Sequence, residues 1–249
     1  MKKLLTSIAL AAAALTVATG AQANVLRTTI DFETPIGGSP FLSYPGSPLL
    51  GHNDEFYQPG IGDHALFFDP FSNLAGAQTG DLVGSIGTND DFCIGFAGCP
   101  TNNATNYLAL LDDGFVVFGA LDGFSFSVKS FSAAWIGNGD PLQTTPGFVR
   151  LQGVSGGMST TATFALTGTA FSTFSTGGFG NIEFDYVYAY AFACQPLGVP
   201  GTSCSSNSTD RAQFALDDIV IEHVPEPASL ALLSVAGLAA FRASRRRAV

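Results

Sequence analysis

Apolar and polar positions alternate with a period of two along most of the chain from Asn24 to Val224, and no helical period of useful length interrupts them. Phe124, Phe126 and Val128 alternate with Ser125, Ser127 and Lys129. From Asn181 onward, Ile182, Phe184, Tyr186, Tyr188, Tyr190 and Phe192 share one face, with Glu183, Asp185, Val187, Ala189 and Ala191 opposite. Further strands are predicted over 26–33, 64–68, 107–111, 115–118, 148–153, 160–166, 170–175 and 213–222. Turn residues separate them: Asp112-Asp113-Gly114, Asp122-Gly123, Asn138-Gly139-Asp140, Gly156-Gly157 and Gly177-Gly178. Short strands joined by tight turns predict an all-β, jelly-roll-like β-sandwich over residues 24–224. Residues 35–62 break the pattern with five prolines and six glycines in 28 positions, and read as a long surface loop with at most one short strand.

The two ends follow other patterns. Residues 1–23 run from Lys2 and Lys3 through an apolar stretch, Leu4 to about Val17, to Ala21-Gln22-Ala23. That order predicts a signal peptide cleaved after Ala23. Residues 225–249 open on Pro225-Glu226-Pro227, continue through a largely apolar stretch from Ala228 to Phe241, and close on Arg242, Arg245, Arg246 and Arg247. Fourteen residues of helix span about 21 Å, short of the ~30 Å hydrocarbon core, so the segment suits transient inner-membrane insertion held by cytoplasmic arginines.

These residues resemble the PEP-CTERM sorting signal of Gram-negative bacteria. The resemblance implies processing near Pro225-Glu226-Pro227 by an exosortase-type membrane protease. It further implies export through the inner membrane to the cell surface or the extracellular space, in association with exopolysaccharide or biofilm matrix. Gln213, Phe214 and Asp217 are similar to a subgroup marked by Gln-Phe-x-x-Asp before the sorting signal, for which no activity is implied.

Charge narrows the partners. The 249-residue chain carries a formal −10, yet six of its ten bases lie in the terminal segments. Residues 24–224 hold four bases against nineteen acids, 4 − 19 = −15. Such a surface repels phosphate backbones and excludes nucleic acid as a partner. Four cysteines allow three pairings. The local pairs Cys93–Cys99 and Cys194–Cys204 suit an oxidising compartment, with zinc as the alternative.

Two acidic clusters stand at opposite ends of the body, Asp31-Phe32-Glu33 and Asp217-Asp218. In a jelly roll the first and last strands lie close, and converging carboxylates suit a structural Ca²⁺, which takes six to eight oxygens. Glu33 and Asp217 are the first candidate ligands, then Asp31 and Asp218; the alternative is solvated or strand-capping acids. In a regular strand Asp217 and Asp218 face opposite sides. The two clusters are similar to those of calcium-stabilised jelly-roll carbohydrate-binding and lectin-like domains.

Sugar recognition needs exposed aromatic faces with polar groups beside them. Trp135, before Gly137-Asn138-Gly139-Asp140, is the first candidate, and Tyr44 and Tyr57 follow; for Trp135 the alternative is core packing. The Tyr186, Tyr188, Tyr190 row reads equally as a binding face or as sandwich core. No phosphate loop of the Walker type occurs, and His52, His64 and His223 are scattered. The expected function is that of a non-catalytic, exported matrix protein that binds polysaccharide. A secreted carbohydrate-active hydrolase or lyase is the alternative, and a purely structural surface protein with no small ligand is a third reading.

Overall fold

The computed structural model describes residues 24–34, 37–38, 49–92, 98–137, 147–197, 201–205 and 211–225. The predicted signal peptide, the sorting helix, Tyr44 and Cys93 lie outside the described residues, as does the motif beyond Pro225. In chain order the strands are β1 (Leu26–Ile30), β2 (Gly37–Gly38), β3 (Leu49–Gly51), β4 (Phe56–Pro59) and β5 (Ala65–Phe71). Then come β6 (Leu82–Gly87), β7 (Tyr107–Leu110), β8 (Phe115–Ala120), β9 (Ser127–Trp135) and β10 (Gly147–Ser155). The last are β11 (Met158–Leu166), β12 (Ser172–Ser175), β13 (Tyr186–Leu197), β14 (Gly201–Ser205) and β15 (Phe214–His223).

They form two antiparallel sheets, and the protein is all-β. One sheet runs β12-β9-β15-β7-β6-β3, with β1 also pairing β15. The other runs β11-β10-β13-β8-β5-β4-β2, with β14 also pairing β13. The first and last strands are therefore neighbours, as the jelly-roll reading expected. Their alternation has a physical basis: one face of each strand enters a shared apolar layer while the other meets solvent or a loop.

Phenylalanine fills that layer. Phe56, Phe68, Phe118 and Phe126 form a chain of rings with successive centroids 5.3, 5.1 and 6.0 Å apart, and Phe32 closes on Phe68 edge-on at 5.4 Å. Such contacts add ~0.5–1.5 kcal/mol each beyond their burial. Some strands of both sheets escape the period-two reading. β6 (LVGSIG) is buried on both faces after its first residue, so its sequence does not alternate. β3 and β4 lie inside the Pro/Gly-rich stretch that read as loop.

The predicted turn Asn138-Gly139-Asp140 lies outside the described residues, and the β7–β8 turn forms as its residues allow. Asp112 and Asp113 take the left-handed conformation at φ 56° and 51°. Asp113 Oδ1 then accepts the backbone N–H groups of Arg211 and Ala212 at 2.8 and 2.6 Å, tying the β7–β8 turn to the entry of β15. Cys194 and Cys204 are joined by a disulfide across the β13–β14 pair. Cys99 is disulfide-bonded as well, and its expected partner Cys93 is outside the described residues.

Candidate functional site

Strand β13 decides where the site is. Val187, Ala189, Ala191 and Ala193 point into the core, and Tyr186, Tyr188, Tyr190 and Phe192 point out of the sandwich, half-buried by one another. The core layer opposite β13 is already filled by phenylalanines, so only small side chains fit on its inner face. Neighbouring strands present aromatics on the same outer side. β8 contributes Phe115 and β5 contributes Phe67 and Phe71, while Val116, Phe118, Leu66 and Phe68 turn inward.

The ladder registers align these residues in rows across the sheet. Phe68 pairs with Phe56, so Glu55 stands opposite Asp69 one residue further on, and Asp69 pairs with Val117, which pairs with Tyr188. The next row holds Tyr57, Phe67, Gly119 and Tyr186; the row on the other side holds Phe71, Phe115, Tyr190 and Arg150. Phe71 and Phe115 stack at 5.3 Å, Tyr186 and Tyr188 meet edge to face at 5.6 Å, and Tyr190 leans on Phe192 at 5.5 Å. A Cβ on Gly119 would stand 2.7 and 2.9 Å from ring atoms of Phe67. Glycine at that position lets the Phe67 ring lie across the sheet.

Between these rows runs an open groove of about 420 Å³, lined by Phe67, Asp69, Phe71, Phe115, Val117, Tyr186 and Tyr188. Asp69 is the one carboxylate in its lining. Its Oδ1 is buried with no hydrogen-bond partner. Burial pushes the carboxyl up to about 6, and the charges of Glu55 and then Asp54 push it the same way. Burial also raises the Tyr188 phenol, with Tyr186 beside it adding to the effect. Tyr57, a predicted sugar contact, sits at the edge of this face and donates its hydroxyl to Glu55 Oε1 at 2.6 Å. That bond and the Glu55 charge raise its pKa.

Trp135 requires a correction. It is 4% exposed and belongs to the core, with its ring against Gly147 at the start of β10. It is no platform for a sugar ring. The aromatic row left half-exposed is the outer side of β13, β8 and β5, which the sequence offered only as one of two readings for the tyrosines.

The acidic junction between β1 and β15 is arranged differently from the expectation. The register of β15 shifts between Asp217 and Val220, and Asp218 has φ 47°. This bulge turns Asp218 away from the opposite face a regular strand would give it. Its Oδ2 accepts the hydroxyl of Ser132, the residue paired with Asp217, at 3.4 Å. Asp217 is 2% exposed; its Oδ2 accepts the Asn103 amide N–H at 2.7 Å and its Oδ1 accepts the Asp218 backbone N–H at 2.8 Å. Burial pushes its carboxyl up to about 7, the two hydrogen bonds oppose this, and the charges of Asp218 and Asp31 add to it. Glu33 turns to Asn106, whose backbone N–H it accepts at 2.8 Å, and Asp31 Oδ1 accepts the Glu33 N–H at 3.2 Å. Among the described residues no three His, Cys, Asp or Glu side chains gather closely enough to hold a metal ion.

Residues 223–247 match the PEP-CTERM protein-sorting motif. This signal marks a chain for export and for a cell-surface or extracellular location after C-terminal processing by an exosortase, a membrane protein. No curated protein matches the chain in sequence. A solved structure to which it is similar is the C-terminal family 22 carbohydrate binding module of Clostridium thermocellum Xyn10B. That likeness has 11% identity and a TM-score of 0.29, and covers 78% of this chain and 97% of that one. So distant a likeness carries no argument, and the reading of the groove rests on its own residues.

Proposed function

We propose that this exported chain is a non-catalytic surface or extracellular-matrix protein, that it binds polysaccharide, and that the outer face of the eight-stranded sheet is its binding surface. The observation that carries the reading is a row of half-exposed aromatic side chains, Phe67, Phe71, Phe115, Tyr186, Tyr188, Tyr190 and Phe192, on the side of a sandwich sheet that is ordinarily polar. Ring faces receive the C–H faces of pyranoses, and Asp69, Gln152 and Arg150 supply polar groups beside them. One sugar face covering about 50 Å² of apolar surface contributes ~1.3 kcal/mol at 25 cal/mol/Å², close to tenfold in affinity per ring. A glycan array probed with the exported chain and with Tyr188→Ala tests this. Signals that weaken about tenfold in the variant support it, and flat signals across neutral, acidic and amino polysaccharides refute it.

The hydrolase alternative has one observation in its favour, a groove carboxyl with a raised pKa. Glycoside hydrolysis, however, uses two carboxyl groups flanking the scissile bond. Only Asp69 lines the groove, and Glu55 across the strand is engaged by the Tyr57 hydroxyl. The non-catalytic reading therefore expects no new reducing ends during prolonged incubation with a bound glycan. Reducing ends that vanish with Asp69→Asn would establish the enzyme instead.

A structural Ca²⁺ at the β1–β15 junction is a separate proposal. The charges of Asp218 and Asp31 both reach Asp217 there, and an ion would have to displace the Asn103 amide from Asp217.

A further inference from the structure

Resting on the polysaccharide reading of the groove, we propose that its ligand is a polysaccharide carrying free amino groups, bound with an ammonium against Asp69. Three features of the face argue for a cation over a neutral or acidic sugar.

The first is the polar lining itself. The groove is lined by one carboxylate, Asp69, and one of its oxygens lies buried without a hydrogen-bond partner. With that oxygen closed off and unpartnered, the half-buried carboxylate is short of donors, and a charge-assisted N–H donor at its accessible edge offsets the cost more fully than a neutral hydroxyl. The second is the wall. Phe67, Phe71, Phe115 and Tyr188 present ring faces and edges around that carboxylate. An ammonium held among aromatic rings and beside a carboxylate gains from both, since the ring quadrupole attracts a desolvated cation.

The third is the surrounding charge. Glu55 stands across the strand from Asp69, and the charges of both Glu55 and Asp54 reach it. The cation on this face, Arg150, lies three strands away on β10, over the Phe192 ring at 4.5 Å and bonded to Thr163. Strands ~4.8 Å apart put Arg150 about 14 Å from Asp69, beyond the ~8 Å screening length of physiological salt. Arg27 and Lys129 are paired with Glu222 on the other sheet. The groove therefore faces a ligand with uncompensated negative charge. A uronate polymer is repelled, a neutral glycan is indifferent, and an amino sugar is drawn in.

The test is calorimetry on the exported chain at pH 6.5 with chemically matched probes: chitohexaose, its fully de-N-acetylated counterpart, polygalacturonate and hexalysine. The de-N-acetylated hexamer is expected to bind about tenfold tighter than chitohexaose. Asp69→Asn should bring the two hexamers to equal affinity, and Tyr188→Ala should weaken both sugars alike. Equal binding of the two hexamers, or a preference that survives Asp69→Asn, overturns the amino-sugar assignment and leaves the polysaccharide reading standing. Hexalysine binding as tightly as the amino sugar also overturns it, because the face would then read charge alone. No binding of any glycan overturns both, and a dimer in sedimentation that Tyr188→Arg dissociates assigns the face to a second copy of the chain. Melting curves of each variant establish that it is folded.

Discussion

Replacing Asp69 with asparagine should stabilise the protein at neutral pH and leave it nearly unchanged in acid. Burial lifts this carboxyl from 3.8 to about 6 in the folded state. Between those values the unfolded chain has released the proton while the folded chain still holds it. The native state then binds more protons, so stability falls as pH rises. The contribution is fully present below pH 4, is lost as pH passes through 6, and changes little above 7. A shift of about two units has a ceiling of ~3 kcal/mol, and because half of the side chain still meets solvent, screening brings it to about 1–1.5 kcal/mol. Asparagine does not titrate, and its removal of a like charge beside Glu55 and Asp54 acts in the same direction.

The measurement is urea unfolding of wild type and Asp69→Asn at pH 4.0 and 7.5, followed by the fluorescence of Trp135, the single tryptophan and a core residue. Asp217, pushed up to about 7, titrates in an overlapping window, but it does so in both proteins and cancels in their difference. The stability difference should move in favour of the variant by about 1–1.5 kcal/mol between the two pH values. A difference that stays constant within ~0.3 kcal/mol would refute a buried, proton-holding Asp69, and with it the electrostatic description of the groove.

Three further outcomes follow from the same geometry. Trp135→Ala should lower unfolding free energy by ~3–5 kcal/mol as a core truncation, whereas Tyr188→Ala on the outer face should cost under ~1 kcal/mol, both measured by urea unfolding followed by circular dichroism. Equal costs would mean that the face is covered. Gly119→Ala should push the Phe67 ring off the sheet and weaken glycan binding several-fold in calorimetry, and an unchanged affinity would remove Phe67 from the contact surface. If Ca²⁺ binds between Asp31 and Asp217 with a Kd near 10 μM, millimolar Ca²⁺ adds ~2.7 kcal/mol and raises the Tm by roughly 5–10 °C, which EDTA reverses. A Tm that ignores both rules the ion out.

The alternation in residues 186–192 was legible as a strand, whereas Ile182 and Phe184, expected on the same face, precede β13, and Phe184 is buried in the core; alternation has two faces and does not say which is buried. Tyrosine and phenylalanine on one side, valine and alanine on the other, favour the aromatic side as core when the strand is read alone. The structure inverts this because burial is decided by what stands opposite. Phe118, Phe126 and Phe131 come from other strands and occupy the layer between the sheets, which leaves room over β13 only for Val187, Ala189 and Ala191. A signal for this existed in the sequence. In Leu66-Phe67-Phe68 and Phe115-Val116-Val117-Phe118 both faces are apolar, so one aromatic set had to lie outside. The Asp217–Asp218 bulge was beyond that reach, since two consecutive aspartates look alike in a regular and an irregular strand, and only the left-handed φ of Asp218 separates them.

The same inversion gives the acidic charge of the body a place. Spread over nineteen carboxylates it had no address in the sequence beyond the two clusters flanking the domain. In the fold, two of the carboxyls that hold protons most tightly, Asp69 and Asp217, sit on different sheets and in different company. Asp217 is closed in at a junction between strands by the Asn103 amide and the Asp218 backbone N–H. Asp69 stands in an open groove among aromatic rings with an oxygen unsatisfied. A structural acid would be expected to find a donor within the protein, as Asp54, Asp113 and Asp217 do. An acid left without one, on a surface that export delivers to the cell exterior, is placed to find its donor in a ligand.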